Sequence, residues 1–458
     1  MIHTFECLGK YILLDVESGA VYCVDKLVFD IASLMERGAE EKEITRRLSD
    51  LYKYEDIIEA LSELKELEKQ GALNAVTDND AVKEAASANK SVIKSMCLHI
   101  AHDCNLRCQY CFASTGDFHG ERSLMPLNVA KAAMDFLMEK SGSRRNLEVD
   151  FFGGEPLMNF DVVRKTVEYG RSLEKKHNKN IRFTITTNGL LLNQEILDFI
   201  NREMNNVVVS IDGRPEIHNR MRRTVKGGPS FDLIAPNALK IAQSRNQEKY
   251  YVRGTFTAYN TDFSKDVEFL ADYGFKQLSL EPVVTDEKEE YALTREHLER
   301  IYAEYEKLAR IYLDREGTDK SFNFFHFMLD LSGGPCLIKR VTGCGAGNEY
   351  VAVTPSGDIY PCHQFAGNPE TRMGSVLDGT FDCEAQKRYK ACNVLSKEEC
   401  GGCWAKYYCS GGCAANAYIY NGDINKPYKM ACLLEKKRLE CALAIYAIKF
   451  LEEGAGND

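Results

Sequence analysis

The sequence predicts an α/β protein whose centre is an open, partial barrel of six strand–helix units. From Val92 onward, predicted strands alternate with helices, a pattern typical of a parallel sheet. A hairpin and three helices precede this region, and the composition shifts to Gly, Cys and Tyr after a long predicted helix, Thr294–Glu316. These breaks predict a domain at residues 1–78, a linker at 79–92, the barrel at 93–320 and a Cys-rich domain at 321–458.

The composition of the 458 residues fits a globular cytoplasmic protein, with 44% hydrophobic residues. A net charge of −10 argues against nucleic acid as the main partner. No apolar run approaches the roughly 20 residues that span a bilayer, so no membrane partner is expected. The N-terminal residues lack the pattern of a signal peptide. In a reducing compartment, 17 cysteines indicate metal or redox chemistry rather than disulfides.

The first 78 residues have the pattern of a winged helix-turn-helix. Phe5–Leu14 and Ala20–Val24 are predicted strands, and helices are predicted at Leu27–Arg37, Glu41–Tyr52 and Tyr54–Gln70. The segment through Asp80 carries 18 acidic residues against nine basic ones, which disfavours binding to DNA phosphates. An exposed strand edge favours recognition of an extended peptide, with a structural cap and DNA binding as alternatives.

The middle of the chain is predicted to place its reactive groups at the carboxyl ends of parallel strands, as barrels do. The predicted strands are Met96–Ala101, Leu147–Phe152, Arg182–Thr187, Val207–Ile211, Tyr250–Ala258 and Gln277–Glu281.

Three cysteines follow the first of these strands: Cys104, Cys108 and Cys111. Structural zinc requires four ligands, so these three do not complete a zinc site by themselves. A [4Fe–4S] cluster held by three thiolates keeps one iron for a non-protein ligand. Thiolates bind both zinc and iron–sulfur clusters, so the cysteines alone leave this choice open.

Further motifs end the other strands. The second strand ends in Gly153, Gly154 and Glu155, where small residues allow close approach of a ligand and a carboxylate can accept from an ammonium group. Ser210 ends the fourth strand and is followed by Arg222, whose guanidinium can bind a carboxylate through two nitrogens. Thr186–Gly189 ends the third strand, where hydrogen bonds near a cofactor and a plain turn are equally expected. Glu281 ends the sixth strand, where it would face the same site, although its residue type alone is uninformative.

The C-terminal domain contains seven cysteines in a close array. They are Cys344, Cys362, Cys400, Cys403, Cys409, Cys413 and Cys432. Cys362 ends a Gly-x4-Cys motif, and Cys400 and Cys403 are separated by two glycines. Taken alone, such pairs are as typical of zinc sites as of cluster ligands.

Together these motifs resemble the radical S-adenosylmethionine (SAM) enzymes, and the C-terminal array resembles their SPASM extension. The resemblance implies a partial (βα)6 barrel, bound SAM and three [4Fe–4S] clusters. Gly153, Gly154 and Glu155 would hold the SAM amino group, Ser210 the ribose and Arg222 the carboxylate. The three implied ligand sets are Cys104, Cys108 and Cys111; Cys400, Cys403, Cys409 and Cys432; and Cys344, Cys362 and Cys413. The last set leaves one iron free unless Cys336 completes it.

The whole arrangement is similar to the maturases of six-cysteine (SCIFF) peptides. This resemblance implies a 5′-deoxyadenosyl radical that takes hydrogen from a peptide, and a thioether between a cysteine sulfur and a threonine Cα. It also implies a precursor peptide bound through its leader by the N-terminal domain, a reductant such as flavodoxin or ferredoxin, and an anaerobic host.

Other functions stay open at this point. Sulfatase-maturating relatives have an aspartate base where this chain has His363, so formylglycine formation is less favoured and His363 becomes the candidate base. Peptide epimerisation is a second enzymatic alternative. A winged-helix sensor or a peptide scaffold, holding iron–sulfur clusters or zinc, is the non-enzymatic one.

Overall fold

The computed structural model describes residues 1–88, 90–329 and 337–455. Cys336, the candidate additional cluster ligand, lies outside the described residues. Within those ranges, no helix combines the length and the hydropathy needed to cross a membrane.

The N-terminal domain has a three-stranded antiparallel sheet and three helices around a core of its own. Its elements are β1 Ile2–Cys7, β2 Lys10–Asp15, β3 Val21–Val24, α1 Lys26–Glu36, α2 Glu41–Leu48 and α3 Tyr54–Lys69. The prediction of one strand over Phe5–Leu14 is wrong, because Leu8 and Gly9, with φ of 56° and 75°, turn the chain between β1 and β2. Two-residue hairpin turns need such angles, and leucine gives no sequence signal for them. The winged-helix assignment stays a prediction.

The predicted linker contains a helix, α4 Asn79–Ala88. This helix contacts the C-terminal part of the chain, because Lys390 Nζ donates to the carbonyl of Ser87 at 2.7 Å and Tyr407 Oη lies 3.3 Å from Asn79 Oδ1. The segment is therefore a packed connection rather than an extended one.

Polar contacts fix the N-terminal domain against the C-terminal part. Lys406 Nζ and Tyr407 Oη donate to the Glu17 carboxylate at 2.5 and 2.9 Å. The Glu17 and Lys406 side chains are only 9% and 2% exposed, so this ion pair is buried. His3 Nε2 lies 3.2 Å from the Glu440 carboxylate at the same interface.

The barrel sheet contains all six predicted strands, in parallel. The elements are β4 Ser95–His102, β5 Leu106–Cys108, β6 Ser123–Leu124, α5 Leu127–Lys140, β7 Asn146–Gly153, α6 Phe160–His177, β8 Asn180–Thr187, α7 Gln194–Glu203, β9 Met204–Ser210, α8 Pro215–Met221, β10 Arg222–Thr224, α9 Phe231–Ser244, β11 Tyr250–Phe256, α10 Ser264–Tyr273, β12 Gln277–Pro282, α11 Leu298–Asp314 and β13 Asn323–Phe324. The strand order begins β13-β12-β11-β9-β8-β7-β4.

The alternation of side chains along the strands separates the core from the barrel lumen. In β7, Val149 and Phe151 are fully buried, whereas Asp150 and Phe152 between and after them keep partial exposure. The Asp150 carboxylate accepts from Thr184 Oγ1 of β8 at 2.7 Å. Val149 and Phe151 belong to the hydrophobic core. Because successive side chains of a strand point to opposite faces, Asp150 and Phe152 lie on the face toward the barrel lumen.

The C-terminal part continues the barrel sheet instead of forming a detached unit. Its elements are α12 Leu337–Thr342, β14 Tyr350–Val353, β15 Asp358–Tyr360, β16 Gly374–Ser375, β17 Thr380–Phe381, α13 Cys383–Ala391, α14 Glu398–Gly401, α15 Lys406–Cys409, α16 Ala414–Asn421 and α17 Lys429–Ala455. Strand β14 pairs in parallel with β4, and β15 to β17 follow in antiparallel order. This pairing fixes the C-terminal cysteines against the strand that leads into Cys104.

Candidate active site

The first cysteine set lies in the loop after β4. Cys108 ends β5, which pairs antiparallel with β10, and its partner there is Arg222. The Cys111 amide donates to the Cys108 carbonyl at 3.2 Å, which closes the turn between them. Burial raises the pKa of the Cys104 thiol to about 12, and the two neighbouring sulfurs add to this effect. The three thiols of this loop thus lie near one another.

Two N–H donors point at the Cys104 sulfur. The Leu106 amide donates at 3.4 Å, and Asn188 Nδ2 lies 3.7 Å from the sulfur. Hydrogen bonds to cluster sulfurs are one of the ways in which a protein adjusts a cluster's reduction potential. Asn188 belongs to the predicted Thr186–Gly189 motif, so the structure brings that motif to the cluster loop.

The two glycines after β7 allow the backbone to lie against the cysteine loop. A Cβ on Gly153 would lie 2.3 Å from the Ala101 carbonyl oxygen, and one on Gly154 would lie 2.1 Å from that of Asp103. Gly153 also has φ of 119°, which other residues rarely adopt. Any side chain here would displace the loop that carries Cys104. The SAM contact expected for these glycines stays a prediction.

Glu155 is fully buried, and its carboxylate accepts three hydrogen bonds from the protein. Thr187 Oγ1 donates at 2.7 Å, the Asn188 amide at 2.8 Å and the Leu157 amide at 3.0 Å. Burial raises the pKa of Glu155 to about 7, although these donors act in the opposite direction. Glu155 therefore holds the ends of β7 and β8 together, and its predicted contact with the SAM amino group is not among these bonds.

Arg222 forms a buried network with two residues for which the sequence suggested no role, Asp212 and Tyr110. Arg222 Nε donates to Asp212 Oδ1 at 3.0 Å, and Tyr110 Oη lies 2.7 Å from both oxygens of that carboxylate. The Thr255 amide donates to the same carboxylate at 2.9 Å. Burial raises the pKa of the Cys108 thiol to about 11, and the nearby Arg222 guanidinium opposes this shift. Asp212 thus orients the Arg222 guanidinium toward the cysteine loop.

The sequence contained weak signals for these two residues. Tyr110 is the aromatic residue before the third cysteine, and Asp212 follows Ser210 in the strand-end motif. Ser210 itself is half-buried at the end of β9, and its partner in the parallel register of β11 is Arg253. Its hydroxyl is thereby at the carboxyl end of the strand, as predicted.

Four C-terminal cysteines line one cavity of about 240 Å³. They are Cys400, Cys403, Cys409 and Cys432. Burial raises the pKa of Cys409 to about 12, and the Glu435 carboxylate and the Cys432 and Cys400 sulfurs add to it. The sequence placed these same four residues in one ligand set.

The other three, Cys344, Cys362 and Cys413, lie close to one another. Burial raises the pKa of the Cys362 thiol to about 12, and the Cys413 and Cys344 sulfurs raise it further. The Asn416 amide donates to the Cys413 sulfur at 3.5 Å.

The C-terminal cysteines fit clusters better than single ions. A zinc ion holds its four thiolates at about 2.3 Å, which leaves no cavity between them. In contrast, the cavity that these four cysteines line together with eleven other residues is far larger than one ion. Among the described residues, no three His, Cys, Asp or Glu side chains are grouped as ligands of one metal ion. A cluster does not need such a group, because each thiolate binds its own iron.

His363 lies between the first cysteine loop and the C-terminal part. Its ring is 5.7 Å from that of Phe112, next to Cys111, and 5.1 Å from that of Phe152. Nδ1 lies 3.1 Å from Tyr350 Oη. Burial lowers the pKa of His363 to about 4, and Arg253 lowers it further, so the imidazole is neutral near pH 7.

Glu281 lies at the end of β12, within a group of charges. Its carboxylate lies 3.5 Å from Arg253 Nη2, 3.5 Å from His326 Nε2 and 3.8 Å from Arg438 Nη1. Burial raises the pKa of Glu281, but these neighbours outweigh it and the net pKa is lowered. Glu281 thus stays ionised within this group of charges.

Comparison with known proteins agrees with this geometry. Residues 98–235 match the model of the radical SAM superfamily, so the chain contains a radical SAM domain. Among its relatives is the cysteine-type anaerobic sulfatase-maturating enzyme of Clostridium novyi, 25% identical over 336 residues, which cover 69% of this chain and 86% of that enzyme.

Two solved structures share the fold. The structure of anSMEcpe with bound AdoMet and the Kp18Cys peptide superimposes with a TM-score of 0.63 and 21% identity, over 80% of this chain and 99% of that chain. Streptococcus suis SuiB bound to S-adenosylmethionine superimposes with a TM-score of 0.53 and 18% identity, over 93% of this chain and 97% of SuiB. The α/β radical SAM fold predicted from the sequence is thus confirmed.

Proposed function

We propose that this chain is a radical SAM maturase that joins a cysteine sulfur to a threonine Cα in a ribosomally made, Cys-rich precursor peptide. The observation that carries the proposal is the cavity lined by Cys400, Cys403, Cys409 and Cys432, close to a barrel with its own cysteine loop. A maturase that handles a substrate thiol needs cluster sites beyond the one that binds SAM. Sulfatase maturation by relatives such as the C. novyi enzyme is the second candidate.

Each cofactor has residues suited to hold it. Cys104, Cys108 and Cys111 would bind the first cluster, with the Arg222 guanidinium and the Ser210 hydroxyl toward SAM. Bound there, SAM and the cluster supply one-electron chemistry that removes hydrogen from an unactivated C–H bond.

The protein's own contribution is to place these groups. Asp212 and Tyr110 fix the guanidinium, so that its outer nitrogens meet a carboxylate with little loss of entropy. Gly153 and Gly154 would face the SAM amino group. The set Cys344, Cys362 and Cys413 has one ligand fewer than a cluster has irons, which leaves a position for a substrate thiolate unless Cys336 fills it.

His363 is the candidate base for the proton of a substrate thiol. Burial lowers its pKa to about 4, which keeps the imidazole neutral but weakens it as a base, and its Nδ1 is engaged by Tyr350. The His363 ring lies beside that of Phe112, and in the chain His363 directly follows Cys362. It is therefore placed between the two cysteine sets that the reaction would use.

The N-terminal domain would bind the leader of the precursor peptide. Strand β3 is at the edge of its sheet, and in the described residues only β2 pairs with it. The outer edge of β3 can therefore accept an added peptide strand. S. suis SuiB, which shares the fold, has been solved bound to its precursor peptide SuiA.

Mass spectrometry of the precursor peptide encoded beside this gene tests the proposal. After anaerobic reaction with SAM and a reductant such as flavodoxin, ferredoxin or dithionite, each thioether lowers the peptide mass by two hydrogen atoms. Deuterium at the threonine Cα would be lost. Conversion of cysteine to formylglycine instead replaces sulfur by oxygen with loss of two hydrogens, and epimerisation leaves the mass unchanged in ordinary water. Either of these results would refute the thioether proposal.

The matched control replaces Cys104, Cys108 and Cys111 together by alanine. This variant should leave the peptide unchanged and form no 5′-deoxyadenosine. If the parent protein also forms none, the non-enzymatic alternative of a sensor or scaffold is favoured.

A further inference from the structure

A buried lysine, Lys397, lies where the two C-terminal cysteine sets meet. The residue is only 3% exposed, and its Nζ donates to the carbonyl of Gly411 at 2.7 Å. Gly411 lines the cavity of the Cys400 set and stands in the chain between Cys409 of that set and Cys413 of the other. The ammonium group is thus held at the junction of the two sets.

No carboxylate accounts for this buried charge. Over the described ranges, Lys397 forms no ion pair with Asp or Glu. Lys406, which is equally buried, has the Glu17 carboxylate at 2.5 Å. Burying an ammonium without an anion costs several kcal/mol, so buried lysines are normally paired. Within the described ranges, the Lys397 ammonium is therefore left without a carboxylate partner.

Lys397 also lies near cysteines of both sets. Burial raises the pKa of the Cys400 and Cys413 thiols, and the positive charge of Lys397 lowers the pKa of each of them. Lys397 is also near Cys392, which in turn is near Cys344. A cluster held by thiolates is an anion, so a cluster in each set would supply the missing countercharge.

We propose that Lys397 is the shared counter-cation of the two C-terminal clusters and that it raises the reduction potential of both. This inference rests on the proposed function, which assigns a cluster to each set. Reduction adds negative charge to a cluster, and a cation fixed beside it in a poorly polarisable interior favours that state. Lys397 is therefore a positioning residue for electron transfer, without contact to the peptide.

The test uses the full chain with Cys104, Cys108 and Cys111 replaced by alanine, so that only the C-terminal clusters contribute. Lys397→Gln removes the charge and keeps a donor for the Gly411 carbonyl, whereas Lys397→Arg keeps the charge. Lys387→Gln is the control, because Lys387 is 71% exposed and pairs with Glu384. Each protein is reconstituted anaerobically, assayed for iron and sulfide, and titrated redox-potentiometrically with electron paramagnetic resonance detection.

We expect Lys397→Gln to shift both midpoint potentials to lower values, while Lys397→Arg and Lys387→Gln stay near the parent. Loss of iron in Lys397→Gln but not in Lys397→Arg would also support the charge requirement. Unchanged midpoints in Lys397→Gln, or the same change in both Lys397 variants, including loss of iron from both, would overturn the inference. A parent protein without iron would overturn the proposed function, and this inference with it.

Discussion

The buried ion pair between Glu17 and Lys406 gives a quantitative prediction for domain docking. Replacing Glu17 by alanine leaves the Lys406 ammonium buried, with only 2% of its side chain exposed. Removing one partner of a buried ion pair costs about 3–5 kcal/mol. It also removes the nearer of the two acceptors of the Tyr407 hydroxyl and leaves Asn79 Oδ1 at 3.3 Å. We therefore expect the docked state of the N-terminal domain to lose about 3 kcal/mol or more of stability.

Native-state hydrogen exchange measures this loss locally, which suits a multidomain chain that does not unfold in two states. A loss of about 3 kcal/mol corresponds to roughly 100-fold faster exchange in amides that exchange by undocking, such as those of β1 and β2. Glu41→Ala is the matched control, because Glu41 is 55% exposed and pairs with the exposed Lys65. Surface pairs contribute about 0–1 kcal/mol.

Equal exchange rates in Glu17→Ala and Glu41→Ala would refute the reasoning, because the buried pair would then contribute no more than a surface pair. Faster exchange throughout the barrel as well would mean that Glu17 supports the whole chain, not the docking of one domain.

Three further predictions concern the sites. Alanine at Cys104, Cys108 and Cys111 together should abolish SAM cleavage and leave the C-terminal clusters spectroscopically intact; retained cleavage would show that the first set is assigned wrongly. Asp212→Asn should weaken SAM binding about 10-fold or more, because it loses a hydrogen bond between charged groups, and unchanged affinity in equilibrium binding would contradict this. Burial lowers the pKa of His3, but two carboxylates raise it above 6.5 overall. His3 should therefore stabilise docking below about pH 6.5 and lose this effect as pH rises through its folded pKa, and pH-independent docking, after correction for intrinsic exchange, would exclude this role.

Much of the barrel could be predicted because its strands are apolar runs between clear helices. Strands β13 and β14 were missed, since each is very short and gains its place only by pairing with a distant strand. The hairpin turn at Leu8 and Gly9 was missed for a related reason. The positive φ of Leu8 is imposed by the two paired strands and has no local residue signal.

The spacing of Cys104, Cys108 and Cys111 predicts that they share one loop, because they are close in sequence. The division of the C-terminal cysteines into two sets came from the family resemblance, since Cys344 and Cys413 are far apart in the chain, and it stays a prediction. The role of Asp212 could not be predicted, because its partners come from three separate segments that meet only in the fold. Glu155 is a second case. Its SAM contact stays a prediction from the motif, whereas its hydrogen bonds from Thr187 and Asn188 join two strand ends and could be found only from the fold.

Elemental analysis of anaerobically prepared protein tests the central claim most directly. Three clusters of four irons predict about twelve irons per chain, with matching acid-labile sulfide and little zinc. Zinc with negligible iron would contradict the account, because neither SAM chemistry nor a thiolate-binding cluster could then operate in this fold.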